Sequence, residues 1–93
     1  RINRYMLIAG GDYVYNPELD PKVVGKVIAG FRKSKGISQE VLSGLAAIGR
    51  THLSAIERGE RKPTLETLYR LATALNVKMS DIVKEIENHI DHN

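Results

Sequence analysis

The chain has 93 residues, no cysteine and a formal net charge of +3, enough for one small domain with a modest core. That composition excludes a disulfide framework and a thiolate metal site, and no apolar run approaches the ~20 residues of a membrane span. The expectation is a cytoplasmic protein, with no membrane partner, that gains buried surface by self-association.

The opening stretch, RINRYMLIAGGDYVYNPELD, differs in style from the rest of the chain. RYMLIA and YVY have strand-like composition, and Gly10-Gly11 is a turn signal between them. Residues 1–19 are therefore expected as an N-terminal arm of strand-forming composition, with a β-hairpin as its natural form. A lone hairpin is marginal in water, so it would lean on the domain or on a second copy of the chain. Packing of Tyr5, Tyr13 and Tyr15 is preferred to their use as a nucleic-acid-binding arm.

Residues 20–93 read as helical. Asp20 followed by Pro21 is an N-cap with proline at the first helical position. Val23, Val24, Val27, Ile28 and Phe31 recur at helical spacing before Gly36 stops the helix. Ser38 caps a second helix carrying Val41, Leu42 and Leu45, with Glu40 in the first turn where the dipole favours an acid. A third bears Leu53 and Ile56 and ends at Gly59. Thr64 caps a fourth with an apolar stripe of Leu65, Leu68, Leu71, Ala72 and Leu75, closed by Asn76. Ser80 is expected to cap a fifth, striped by Ile82, Val83, Ile86 and Ile90. Five helices with short links make an all-α bundle.

The second and third helices are joined by a turn of three or four residues, the helix-turn-helix arrangement. Leu42 and Ala46 must meet Leu53 and Ile56, with Ile48 plugging the corner and the small Ser43 where the axes cross. That leaves Arg50, Thr51, Ser54 and Ala55 on the outer face of the third helix. Charge supports an outward role. Residues 22–62 hold nine bases against three acids, while residues 1–21 and 63–93 are each mildly acidic. A basic middle suits a phosphate-facing surface.

The stretch SQEVLSGLAAIGRTHLSAIERGERKPTLETLYRLATALNV resembles the Cro and phage-repressor helix-turn-helix family. Within it, the chain is similar to the controller proteins of restriction–modification systems, and the likeness runs over roughly residues 22–83. The resemblance implies a lambda-repressor-like DNA-binding domain that regulates transcription, a repressor among its roles. By position in the motif, Arg50 and Thr51 match the two sites that point at base edges, and Ala55 the third. Arginine can contact guanine O6 and N7 in a bidentate manner, worth about 1–3 kcal/mol of discrimination. Gln39 matches a glutamine that touches phosphate and braces the recognition helix. Gly49, His52 and Ser54 would lie along the backbone, and Arg58, Arg61 and Lys62 would follow it past the helix. Arg32 and Glu57 match a structural ion pair bridging the first and third helices. Two positions depart from the pattern: Ala47 stands where the turn usually has glycine, and Gly49 replaces a hydroxyl-bearing cap.

The reading is a sequence-specific regulator of double-stranded DNA, acting as a homodimer on a near-palindrome. Ile82, Val83, Ile86 and Ile90 are the expected dimer interface, unless part of that stripe covers the bundle's own core. The alternative is a protein-interaction module, an antitoxin or adaptor on the same fold, that grips its protein partner through the N-terminal arm. No Ser–His pair sits beside an oxyanion site, AGGD is not a phosphate loop, and His89 with His92 lacks a fourth ligand. Catalytic residues, metals and cofactors are therefore expected to be none.

Overall fold

A computed structural model describes residues 5–7, 13–15 and 17–91. Strands β1 (Tyr5–Leu7) and β2 (Tyr13–Tyr15) pair antiparallel, with Met6 opposite Val14. These two segments show the strand pairing expected of the arm. Its side chains lie outside the described residues, so the gripping role expected of the arm does too, as does His92.

Five helices follow: α1 (Pro21–Ser34), α2 (Gln39–Ala46), α3 (Arg50–Glu57), α4 (Leu65–Leu75) and α5 (Met79–Asp91). Their ends form where short-range chemistry directs them. The Asp20 carboxylate accepts the Lys22 N–H, Ser38 Oγ accepts that of Val41, and Thr64 Oγ1 accepts that of Thr67. Each satisfies a first-turn donor that the helix itself cannot. Gly36, Gly59 and Asn76 terminate helices at positive φ, where glycine and asparagine fit with least strain. Helix α5 departs from expectation, beginning at Met79 rather than after Ser80. The Asp81 carboxylate reaches back to the Lys78 N–H at 3.0 Å, one half of a capping box, and replaces a serine cap.

Helix α2 packs on α3 and α4, α1 on α3 and α5, and α4 on α5. Ile28, Leu42, Leu53, Ile56, Leu71, Leu75 and Ile82 are the large side chains fully enclosed between them. Ile48 closes the α2–α3 corner from the side, and Ser43 is buried at the crossing. Among the expected stripes, Val41, Leu45 and, at 74%, Leu65 are instead exposed. They stand in the first turn of α4 and on the outer side of α2, beyond the reach of the facing helices.

The stripe on α5 also divides differently from the expected dimer interface. Ile82 is fully enclosed and Ile86 is 6% exposed, both in the core formed with the other helices. A residue spent on its own core has no surface to offer a second copy, so these two leave the dimer assignment. Val83 is 41% exposed, and Ile90 is only partly packed against the core. Among the described residues no helix is long and apolar enough to cross a membrane.

Two glycines seat α3 against α1. A Cβ on Gly25 would overlap the Ile56 carbonyl oxygen and lie 2.7 Å from that of Glu57. The helices therefore cross with their backbones in contact. At the exit of α3, a Cβ on Gly59 would lie 2.8 Å from Lys22 Cα. Both contacts fix where the C-terminal end of α3 lies, and hence the direction in which its other end projects.

Candidate nucleic-acid interface

The turn before α3 is set by its backbone. Ala47 takes φ 56° and ψ 43°, the left-handed region, where an L-residue costs about 1–2 kcal/mol. In that conformation the Ala47 N–H donates to the Gly44 carbonyl and the Ile48 N–H to that of Ser43 at 3.0 Å, closing α2. The turn keeps the geometry that glycine would favour, and alanine bears the strain.

Gly49 is the N-cap of α3, extended at ψ 143° and without a side-chain cap. The first-turn N–H groups of α3 thus have no hydroxyl from the cap to satisfy them. Arg50 follows at the first helical position, a cation at the end where the dipole disfavours one. That placement becomes favourable when an anion approaches. Arg50 and Thr51 are both exposed, and His52 and Ser54 are half-buried. Leu53 and Ile56 are fully enclosed on the opposite side. Arg50, Thr51, Ser54, Gln39 and Arg58 line one open depression of about 330 Å³.

Ala55 is placed differently. Expected as the third base-reading position, it is 8% exposed. At the C-terminal end of α3 the Glu60 N–H donates to the Ala55 carbonyl at 2.9 Å and closes the last turn. A methyl so little exposed has almost no surface to offer a base edge, so Ala55 leaves the base-reading set.

Behind the exposed face, α3 is anchored through Glu57. Arg32 Nε and Nη2 donate to Glu57 Oε2 and Oε1 at 2.8 and 2.9 Å, and Arg32 Nη1 donates to the Ile37 carbonyl at 2.9 Å. Gln39 Nε2 donates to Glu57 Oε1 at 3.0 Å. One carboxylate thereby ties the end of α3 to α1 and to the start of α2. The side chains of Arg32 and Glu57 are 12% and 6% exposed, so the pair lies largely out of water. Hydrogen bonding to Glu57 and its charge hold the Arg32 guanidinium above its ordinary pKa, against the opposing pull of desolvation. The bracing expected of Gln39 has a direct geometric counterpart here.

Past α3, Arg61 and Lys62 are exposed and, among the described residues, have no ion-pair partner. Arg58 does have one. Its Nε and Nη2 donate to Glu60 Oε2 and Oε1 at 2.8 and 3.1 Å, and its Nη1 donates to Ser54 Oγ. Sequence reasoning missed Glu60. Residues two apart do not face each other on a helix, but Gly59 at φ +77° turns the chain between them. The signal was a glycine with an arginine before it and a glutamate after.

The helix-turn-helix family model matches residues 28–82. An uncharacterized HTH-type transcriptional regulator, y4dJ of Sinorhizobium fredii, is 42% identical over 62 residues, 67% of this chain and 80% of that protein. The control protein C.SmaI of Serratia marcescens is 32% identical over 62 residues, 67% of this chain and 74% of its own length. Among solved structures, the restriction–modification controller protein C.AhdI of Aeromonas hydrophila superimposes with a TM-score of 0.67 at 32% identity, covering 70% of this chain and 98% of that one. The wild-type controller C.Esp1396I superimposes with a TM-score of 0.74 at 27% identity, covering 83% of this chain and all of its own.

Proposed function

This chain belongs to the Cro/C1-type helix-turn-helix family of DNA-binding transcriptional regulators, and on that footing we propose that it reads a near-palindromic operator as a homodimer. Helix α3 enters the major groove with Arg50 and Thr51 toward the base edges. Arg50 offers a bidentate fork to guanine, and Thr51 offers its methyl to thymine or its hydroxyl to a base. Gln39, Gly49, His52, Ser54, Arg58, Arg61 and Lys62 contact phosphates and set register and affinity rather than sequence. Relatives of the chain include a transcriptional regulator and a control protein, which supports this reading.

One observation carries it. The Arg50, Thr51 and Ser54 side chains of α3 converge on one depression with Gln39 and Arg58, while Glu57 and Gly25 hold the helix from behind. A preorganised donor face on a rigid element is what groove readout needs. One such helix reads too few base pairs to be specific in a genome. Two copies with their α3 helices one helical turn apart, ~34 Å, would read both halves of a palindrome. Val83 and Ile90 are the part of α5 left for the contact between copies.

Selection of bound sequences from a random duplex pool tests the reading. Enrichment of two inverted half-sites about one turn apart is expected. A pool that stays random after repeated rounds would overturn sequence-specific binding, and enrichment of a single half-site would overturn the dimer.

A further inference from the structure

Arg58 and Glu60 sit at the edge of the reading face, and their pairing is unlike that of the other bases there. Glu60 engages the Nε–Nη2 edge of the guanidinium with both carboxylate oxygens, while Nη1 rests on Ser54 Oγ of α3. The two side chains are 52% and 58% exposed, so geometry rather than burial holds the pair. Arg58 pulls the Glu60 carboxyl below its ordinary range, first by hydrogen bonding and then by charge. Arg58 lines the same depression as Arg50 and Thr51, so Glu60 holds a carboxylate against one of the residues of that face.

Taking α3 as the reading helix, we propose that Glu60 is a specificity-determining residue, which captures Arg58 against Ser54 and withholds one cation from sequence-independent phosphate binding. A free arginine on this rim would add affinity for every duplex alike, releasing about one counterion. Such affinity lowers the ratio of specific to non-specific binding, which governs how a regulator finds its site. Three of the five guanidinium N–H groups are occupied. The remaining two are held in fixed directions, available to a phosphate seated in correct register. Correct docking keeps this preorganised contact, and random docking loses it.

The test uses the full chain with Glu60→Gln, Arg58→Gln, the double variant, and Glu87→Gln as a charge control on α5. Each is titrated by fluorescence anisotropy against a random duplex and the selected operator between 50 and 200 mM salt, and circular dichroism verifies the fold. Glu60→Gln is expected to tighten random-duplex binding about fivefold and steepen its log–log salt slope by roughly 0.9, while operator affinity shifts less than about twofold. Arg58→Gln should weaken random-duplex binding by under about twofold with Glu60 present and about fivefold in the Glu60→Gln background. Equal factors in the two backgrounds would overturn the capture, because the charges would then act independently. So would an effect of Glu87→Gln as large as that of Glu60→Gln. Failure of the DNA-binding reading itself looks different: the unaltered chain would then enrich no operator and show no salt-dependent binding.

Discussion

Glu57→Ala removes the carboxylate that joins three elements. Three hydrogen bonds disappear with it, two from Arg32 and one from Gln39. The Arg32 guanidinium, with a side chain only 12% exposed, keeps just its bond to the Ile37 carbonyl. Breaking such a pair from one side leaves a desolvated charge without compensation, which costs about 3–5 kcal/mol. The lower end applies, because Arg32 is not wholly sealed from water. Domains of this size have a total stability of only about 0.05–0.15 kcal/mol per residue, so the loss takes a large share. It corresponds to a drop in Tm of roughly 12–24 °C. Thermal unfolding followed by circular dichroism reads this directly. Replacing both partners, as Arg32→Met with Glu57→Met, removes the buried charge as well and should recover most of the loss. A fall of only a few degrees on Glu57→Ala would refute the reasoning, since the pair would then behave as a surface contact worth ~1 kcal/mol or less. A double variant as unstable as the single one would refute it too.

Gly25→Ala should lower the urea midpoint, costing about 1–3 kcal/mol from overpacking despite alanine's better helix propensity; a raised midpoint would mean that α1 and α3 do not cross in contact. Ala47→Gly relieves the left-handed strain and should raise Tm, by up to about 1 kcal/mol of stability after the flexibility of glycine in the unfolded chain is allowed for. Unchanged or lower stability would argue against positive φ at this turn. Val83→Glu should convert dimer to monomer in sedimentation experiments while the fold survives, whereas Ile82→Glu should unfold the chain. The reverse pattern would contradict the division of α5 into core and outer residues.

Much of the bundle was legible because its signals are local. Asp20, Ser38 and Thr64 cap helices that begin within two residues of them, and Gly36, Gly59 and Asn76 turn the chain where a helix must stop. The apolar period located the core face of each helix but not its partner. Ile82 and Ile86 show this, since one stripe suits a helix packing inward or a helix packing on another copy. Spacing puts Ala55 on the outer face of α3, one turn after Thr51, but its 8% exposure depends on neighbours that spacing does not reveal. The Gly25 crossing leaves no mark except a glycine inside a helix, because the atoms it must avoid lie more than thirty positions away in the sequence. The bond between Arg32 and Glu57 was accessible only through the family pattern, for two charged residues 25 positions apart carry no local sign of each other. Glu60 carries no periodic signal, because its pairing with Arg58 depends on the turn at Gly59 between them.

The central claim is that α3 presents Arg50 to a base edge. Arg50→Ala should therefore be titrated at one salt concentration against the selected operator and against a random duplex of equal length. Loss of a bidentate guanine contact worth about 1–3 kcal/mol predicts roughly 5- to 150-fold weaker operator binding, with random-duplex affinity falling only a few-fold. Equal losses on both duplexes, or none on either, would contradict the claim.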